Sequence, residues 1–276
     1  QSASRPEGVK DLGEEDDQNL SFSPQNNFYY IPGHPFQPGF DLQGSAPVPY
    51  EECPAKATGN DNFSPSPGRN DWYETIKLNY GIDYCNGGGR HFDPIPSTWF
   101  KMRDILLFWA GKGIDGFRCD MAEMVPVEFW EWAIPQIKCH YPSLVFIAEV
   151  YNPNEYRNYI YKGGFDYLYD KVGLYDTLRG VVCGYASARQ ITGCWQSVDD
   201  IKDHMLGLRF FCRKYRKRPS GSVGQCMYGE KSHDDLLRTR IRRTGNGRRR
   251  IQRQRRAHHD FRLLACRYHQ AVAQQR

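Results

Sequence analysis

Two acidic side chains, Asp120 and Glu149, each follow a short apolar run with the length and composition of a buried strand. The runs are Ile114-Asp115-Gly116-Phe117-Arg118-Cys119 and Leu144-Val145-Phe146-Ile147-Ala148. The acids stand 29 residues apart, about one strand-helix unit. Neighbouring strands of a parallel sheet end on the same side, so both carboxyls are expected at one mouth. A pair placed that way suits displacement at an acetal carbon. One carboxylate attacks, while the other protonates the departing oxygen and later activates the incoming hydroxyl. The retaining version of this chemistry needs carboxyls about 5–5.5 Å apart. Arg118 lies two residues before Asp120 and projects to the same side, because strand side chains alternate. A guanidinium there would favour the ionised form of Asp120 and hold it in place. Glu149 follows an apolar run, and burial moves a carboxyl toward the working range of an acid. Taken singly, each residue has a plainer reading. An Asp after a strand caps the next helix, and a lone Glu is a salt-bridge partner. The two runs at one-unit spacing are more specific than either member.

The elements that must position these groups are legible around them. Ser97 is expected to cap a helix in which Trp99, Met102, Ile105, Leu106 and Trp109 recur at helical spacing as core, with Gly113 ending it. Pro126 opens a second helix with Phe129, Trp130, Ala133, Ile134 and Ile137 on its buried side, and Pro135 should distort it. A further helix begins near Pro153, a third strand fits 165–169, and helices follow over 173–182 and 197–205. Strands and helices alternating in this way argue for parallel βα units and an α/β fold over residues 96–206. Residues 1–95 differ. Ser23-Pro24-Gln25-Asn26-Asn27, Pro32-Gly33-His34-Pro35 and Pro65-Ser66-Pro67-Gly68 are turn chemistry. This stretch reads as an irregular inserted subdomain, held by aromatics such as Phe28, Tyr29, Tyr30, Trp72 and Tyr73.

Composition sets residues 207–276 apart. They carry 20 basic and 4 acidic side chains, a net +16, whereas residues 1–206 carry 17 and 28, a net −11. Apolar residues are too sparse there for a core, so a disordered basic tail is expected. No apolar run reaches the roughly 18–20 residues that span a bilayer. The nine cysteines include no Cys-x-x-Cys pair and read as reduced thiols rather than a disulfide framework or zinc site. The first residues, Gln1-Ser2-Ala3-Ser4-Arg5-Pro6, show neither an initiator Met nor a signal pattern and read as a cut start, which leaves the compartment unassigned.

Asp115-Gly116-Phe117-Arg118-Cys119-Asp120 is similar to the nucleophile-strand motif of the α-amylase family, glycoside hydrolase family 13. Phe146-Ile147-Ala148-Glu149-Val150 resembles its acid/base motif, and Leu78-Asn79-Tyr80-Gly81 its short Leu-Asn motif. The resemblance covers about residues 1–206. It implies a (β/α)8 TIM barrel, here partial, a retaining mechanism and an α-glucan substrate. By position Asp120 takes the nucleophile role, Glu149 the acid/base role, and Arg118 the substrate-side arginine beside the nucleophile. It also brings in calcium, common in the family, although no ligand cluster is evident. Three features depart from the pattern. The family's early Asp-x-x-x-Asn-His motif is missing. Glu123 and Met124 stand where many members have Lys-His. No Asn-His-Asp motif follows residue 206, and neither His233-Asp234 nor His259-Asp260 has the Asn or the leading strand. The expectation is an α-amylase-type enzyme with little or no turnover in this chain. The alternative is a non-catalytic remnant that binds carbohydrate or a partner.

A one-base shift of reading frame accounts for the basic tail. Residues 232–240 can be encoded by AGC CAC GAT GAC CTA CTT CGG ACA AGA, which one base later reads Ala-Thr-Met-Thr-Tyr-Phe-Gly-Gln, similar to an eighth-strand segment of the family. Residues 258–264 can be encoded so that the same shift yields Thr-Thr-Ile-Phe-Asp-Tyr, also family-like. On this reading no evolved nucleic-acid partner is expected, and any binding to nucleic acid is the sequence-independent attraction of a +16 segment. The nucleotide sequence of the gene decides the matter. A shifted frame without that family-like text removes the explanation.

Overall fold

The computed structural model describes residues 10–40 and 50–207. Of the basic tail expected over 207–276, Gly207 ends a strand, and residues 208–276 lie outside the described residues. The chain divides into two packed units, the first ending at Gly111 and the second beginning at Lys112.

The first unit is irregular, as its turn-rich sequence predicts. Two antiparallel pairs, β1 (Tyr30–Ile31) with β2 (Ala55–Lys56) and β3 (Ile82–Asp83) with β4 (Gly89–Arg90), precede the helix α1 (Ser97–Ala110). With so little ladder, side chains satisfy the backbone. The Asp16 carboxylate accepts from the backbone N–H of Asn27 and Phe28 and from the Tyr30 hydroxyl. Buried Asn27 donates to Ser97 Oγ (2.9 Å) and Thr98 Oγ1 (3.0 Å). Buried Asn79, from the Leu-Asn motif, accepts from Gly81 N–H and donates to the Ser23 carbonyl, both at 2.8 Å. Ser97 departs from expectation. Pro96 takes the cap position of α1, and the Ser97 hydroxyl donates instead to the Gln25 carbonyl. Trp99, Ile105 and Leu106 are buried, as their spacing predicts.

The second unit is α/β. Its strands β5 (Gly116–Cys119), β6 (Val145–Ala148), β7 (Tyr167–Asp170) and β8 (Met205–Gly207) form one parallel sheet in chain order. Helix α2 (Val127–His140) connects β5 to β6. A 3-10 turn (Pro153–Glu155) and a π-helical turn (Asn158–Lys162) lead to β7, and a second π-helical turn (Lys171–Tyr175) continues into α3 (Asp176–Cys183). Helix α4 (Arg189–Ser197) and a 3-10 stretch (Asp199–His204) then lead to β8.

Alternation along the strands sorts the side chains onto two faces. Phe117 and Phe146 share one face, with ring centroids 5.3 Å apart, and both are buried. On α2, Ala133, Ile134 and Ile137 are buried and the Lys138 ammonium lies over the Phe146 ring, which places α2 on this face. Trp130 meets Phe165 edge-on at 4.9 Å in the same core. Gly116 is required by close approach, since a Cβ there would lie 2.2 Å from the Val145 carbonyl oxygen. Helix α2 runs on through Pro135 rather than stopping, and the side-chain amide of Gln136 donates to the Trp132 carbonyl at 2.6 Å beside it. The apolar contacts made by this helix outweigh the local cost of the proline. Among the described residues all six cysteines are free thiols, and no helix is long and apolar enough to cross a membrane.

Candidate active site

Arg118, the third residue of β5, lies on the sheet face opposite the Phe117–Phe146 core. Asp120 is the first residue past β5, and Glu149 the first past β6. Backbone bonds carry the ladder beyond the strands. The N–H of Glu149 donates to the Cys119 carbonyl at 3.0 Å, and the N–H of Ala122 donates to the Glu149 carbonyl at 2.9 Å. These bonds hold the two acidic residues side by side. Between them Met121 adopts a left-handed conformation, with φ of +47°, which is uncommon for a residue with a side chain. That bend turns the Met121 N–H toward Glu149 Oε2 at 3.3 Å. Local strain held by surrounding bonds is a feature that clusters at functional sites.

One guanidinium joins both carboxyls. Arg118 Nη1 donates to Asp120 Oδ1 at 2.5 Å, and its Nη2 donates to Glu149 Oε2 at 2.7 Å. The three residues singled out from the sequence are therefore brought together. The Glu149 side chain is 12% exposed and that of Asp120 28%, so the acids differ in their access to water. Burial pushes the Glu149 carboxyl above the ordinary glutamate range. A hydrogen bond with Asp120 adds to the rise, while Arg118 and the Met121 N–H oppose it. The Arg118 guanidinium is favoured in its charged form, because the two carboxylates outweigh the burial that works against it. This arrangement can deliver a proton from Glu149 beside an acid salt-bridged to arginine.

Further residues complete the site. The Tyr151 hydroxyl donates to Glu149 Oε1 at 3.2 Å. Tyr169, on β7, lies beneath the Arg118 guanidinium, 5.8 Å from it to the ring centroid. The Lys171 ammonium lies 5.8 Å from the Tyr151 ring centroid and 4.8 Å from that of Tyr175, and pairs with Asp176 Oδ1 at 2.9 Å. Sequence reasoning did not pick out these residues. Tyr151 carried a signal, since it stands two positions beyond Glu149 and extended backbone returns it to the same side. The left-handed turn at Met121 carried none. Glu123, one of the departures from the family pattern, accepts from the Asn152 N–H at 3.0 Å and ties the two loops together.

Two nearby groups have different roles. Cys119 is buried, and burial pushes its thiol well above the ordinary range, so it is protonated and no nucleophile. Asp170, at the end of β7, is a buried carboxyl raised by burial, and it accepts from the Leu174 N–H at 3.0 Å. It is a helix cap, the plainer fate of an acid after a strand. Among the described residues no group of three or more His, Cys, Asp or Glu side chains converges to hold a cation. The described residues thus offer no acidic cage for the calcium that the resemblance brings in.

Among curated proteins, the alpha-1,4-glucan:maltose-1-phosphate maltosyltransferase of Cereibacter sphaeroides is 33% identical over 75 residues, which are 27% of this chain and 13% of that protein. The enzyme of the same name from Chlorobaculum tepidum is 37% identical over 73 residues, 26% of this chain and 11% of that protein. Over about a quarter of its length the chain is thus similar to enzymes of glycoside hydrolase family 13, the α-amylase family. The family-13 likeness spans little more than a tenth of those relatives' lengths. Solved structures similar to this chain include an alpha-amylase from Lactobacillus plantarum, at 25% identity, covering 51% of this chain and 33% of that one with a TM-score of 0.38. Another is the cyclic alpha-maltosyl-(1-->6)-maltose hydrolase of Arthrobacter globiformis, at 17% identity, 56% and 30% coverage and a TM-score of 0.42. No family model matches the chain.

Proposed function

We propose that Asp120, Glu149 and Arg118 form the centre of a retaining glycosidase-type site that acts on an α-glucan. The observation that carries this reading is the single guanidinium joining two carboxyls past the ends of neighbouring parallel strands. In the first step the Asp120 carboxylate bonds to the anomeric carbon while Glu149 gives its proton to the departing glycosidic oxygen. In the second, Glu149 as carboxylate takes a proton from the incoming hydroxyl, which displaces Asp120 from the sugar. Arg118 orients Asp120 and offsets negative charge on the pair. The incoming hydroxyl belongs to water in hydrolysis and to a sugar in transfer. The two maltosyltransferase relatives favour the transfer reading.

The sheet of the second unit is read as part of a (β/α)8 barrel over residues 96–206, with residues 1–95 as an inserted subdomain. Turnover by this chain is low, because no third acid with the family's Asn-His-Asp pattern follows residue 206. Losing one electrostatic stabiliser of the transition state costs about 3 kcal/mol, or roughly 10²–10³ in rate.

An activated donor tests the chemistry despite slow turnover, because fluoride leaves without strong acid assistance. Prolonged incubation of the full chain with 5-fluoro-α-glucosyl fluoride is expected to add one fluoroglucosyl mass to the peptide containing Asp120. Asp120→Asn should show no label, and neither protein should cleave soluble starch at an appreciable rate. Label on another residue, or on none, overturns the assignment. Brisk starch cleavage lost in Asp120→Asn would overturn only the low turnover. Starch binding without labelling would favour the non-catalytic reading.

A further inference from the structure

We propose that Tyr151 is a positioning residue for Glu149, its hydroxyl fixing Oε1 as the oxygen that carries the exchangeable proton. This rests on the reading of Glu149 as the acid/base. The two oxygens of that carboxyl have unlike surroundings. Oε2 accepts from Arg118 Nη2 at 2.7 Å and from the Met121 N–H at 3.3 Å. Both are donors with no accepting capacity, so a proton on Oε2 would face two others. Oε1 faces the Tyr151 hydroxyl at 3.2 Å. A hydroxyl can donate to the carboxylate or accept from the acid, so Oε1 is matched in both protonation states, with the Asp120 carboxyl as the other hydrogen-bond partner of Glu149. When a glycosidic bond breaks, the Oε1–H bond breaks as its proton passes to the leaving oxygen. The Tyr151 hydroxyl then turns to donate to the carboxylate left behind.

Tyr151 is itself held in place. The Lys171 ammonium lies over its ring and that of Tyr175, anchored by Asp176. A cation on the face of a phenol draws density from the ring and strengthens its O–H as a donor. Burial and the neighbouring carboxylates push the Tyr151 phenol up, so it remains a donor. The charged and titratable groups that face Glu149 are Arg118 and Asp120 from the end of β5, Tyr169 from β7, and Tyr151 from its own segment. Lys171 acts through Tyr151.

Removing the hydroxyl takes a hydrogen bond from both forms of Glu149, but the charge-assisted bond to the carboxylate is the stronger, so its titration moves up. The test uses the full chain with glutamate carboxyl carbons labelled with 13C, the Glu149 signal being assigned by its loss in Glu149→Gln. Tyr151→Phe is expected to raise the Glu149 midpoint by about one pH unit, the size of a hydrogen bond to a charged group. Lys171→Met should raise it less, in the same direction. An unchanged midpoint in folded Tyr151→Phe overturns the proposal, since a hydroxyl that holds Oε1 cannot be removed without weakening the carboxylate form. Should Tyr151→Phe lose its dispersed amide spectrum, Lys171→Met decides: an upward shift supports the proposal and no shift overturns it. The titration needs no turnover. A failure of fluoride labelling therefore sinks the glycosidase reading separately from this one.

Discussion

Replacing Arg118 with Met is expected to lower the stability of the fold by about 2–3 kcal/mol at pH 7, and by much less at pH 4. Breaking a fully buried charge pair costs about 3–5 kcal/mol, because the partner is left without compensation. Arg118 is about a third exposed, so solvent screening lowers that figure. The pH dependence follows from the proton count. Burial already raises Glu149 above its ordinary value of 4.5, and losing the guanidinium raises it further. The folded state then holds a proton that the unfolded chain releases, so stability falls as pH rises from the ordinary value through the raised one. Below that window both states are protonated and the penalty disappears. Urea unfolding followed by tryptophan fluorescence at the two pH values checks this. An equal loss at both would mean that Arg118 contributes packing rather than charge.

Truncating Phe146 to Ala is expected to cost about 3–5 kcal/mol, more than any other single change considered. Phe146 is fully buried and packs between Phe117 at 5.3 Å and Phe165 at 6.5 Å, with Lys138 over its ring. Its N–H is also held by Asp166 Oδ2 at 2.8 Å, so the backbone resists collapse into the void. The loss should read as a fall in urea midpoint, with Phe146→Leu costing under about 1.5 kcal/mol. A loss below about 1 kcal/mol for the alanine variant would mean that the core beneath β6 can close around the gap.

Much of this molecule could be read from sequence where a strand ends on an acid. Asp120 and Glu149 were legible because apolar runs of strand length precede both and one strand-helix unit separates them. Arg118 was legible through alternation. Other elements left weaker traces. Met205-Leu206-Gly207 is too short to announce a strand, and β8 replaces the end of an expected helix over 197–205. Helix α4 buries Ile191 as its sole deeply covered residue among Arg, Gln, Thr and Ser, so its periodicity was faint. Ser97 misled because its hydroxyl serves Gln25, 72 residues away, a partner that no local pattern reveals. Met121 stayed hidden because a left-handed methionine is imposed by tertiary bonds on both sides and not by its own preference.

The four parallel strands pair strictly in chain order. During synthesis each strand therefore meets a partner that has already left the ribosome, and none must wait for a distant segment. Asp120 and Glu149 ride on the first two strands of that series, so the reactive pair can be assembled vectorially, before β7 and β8 are translated. Tyr169 on β7 is then added last of the site's side chains, closing beneath a guanidinium whose two carboxyl partners are already in the chain.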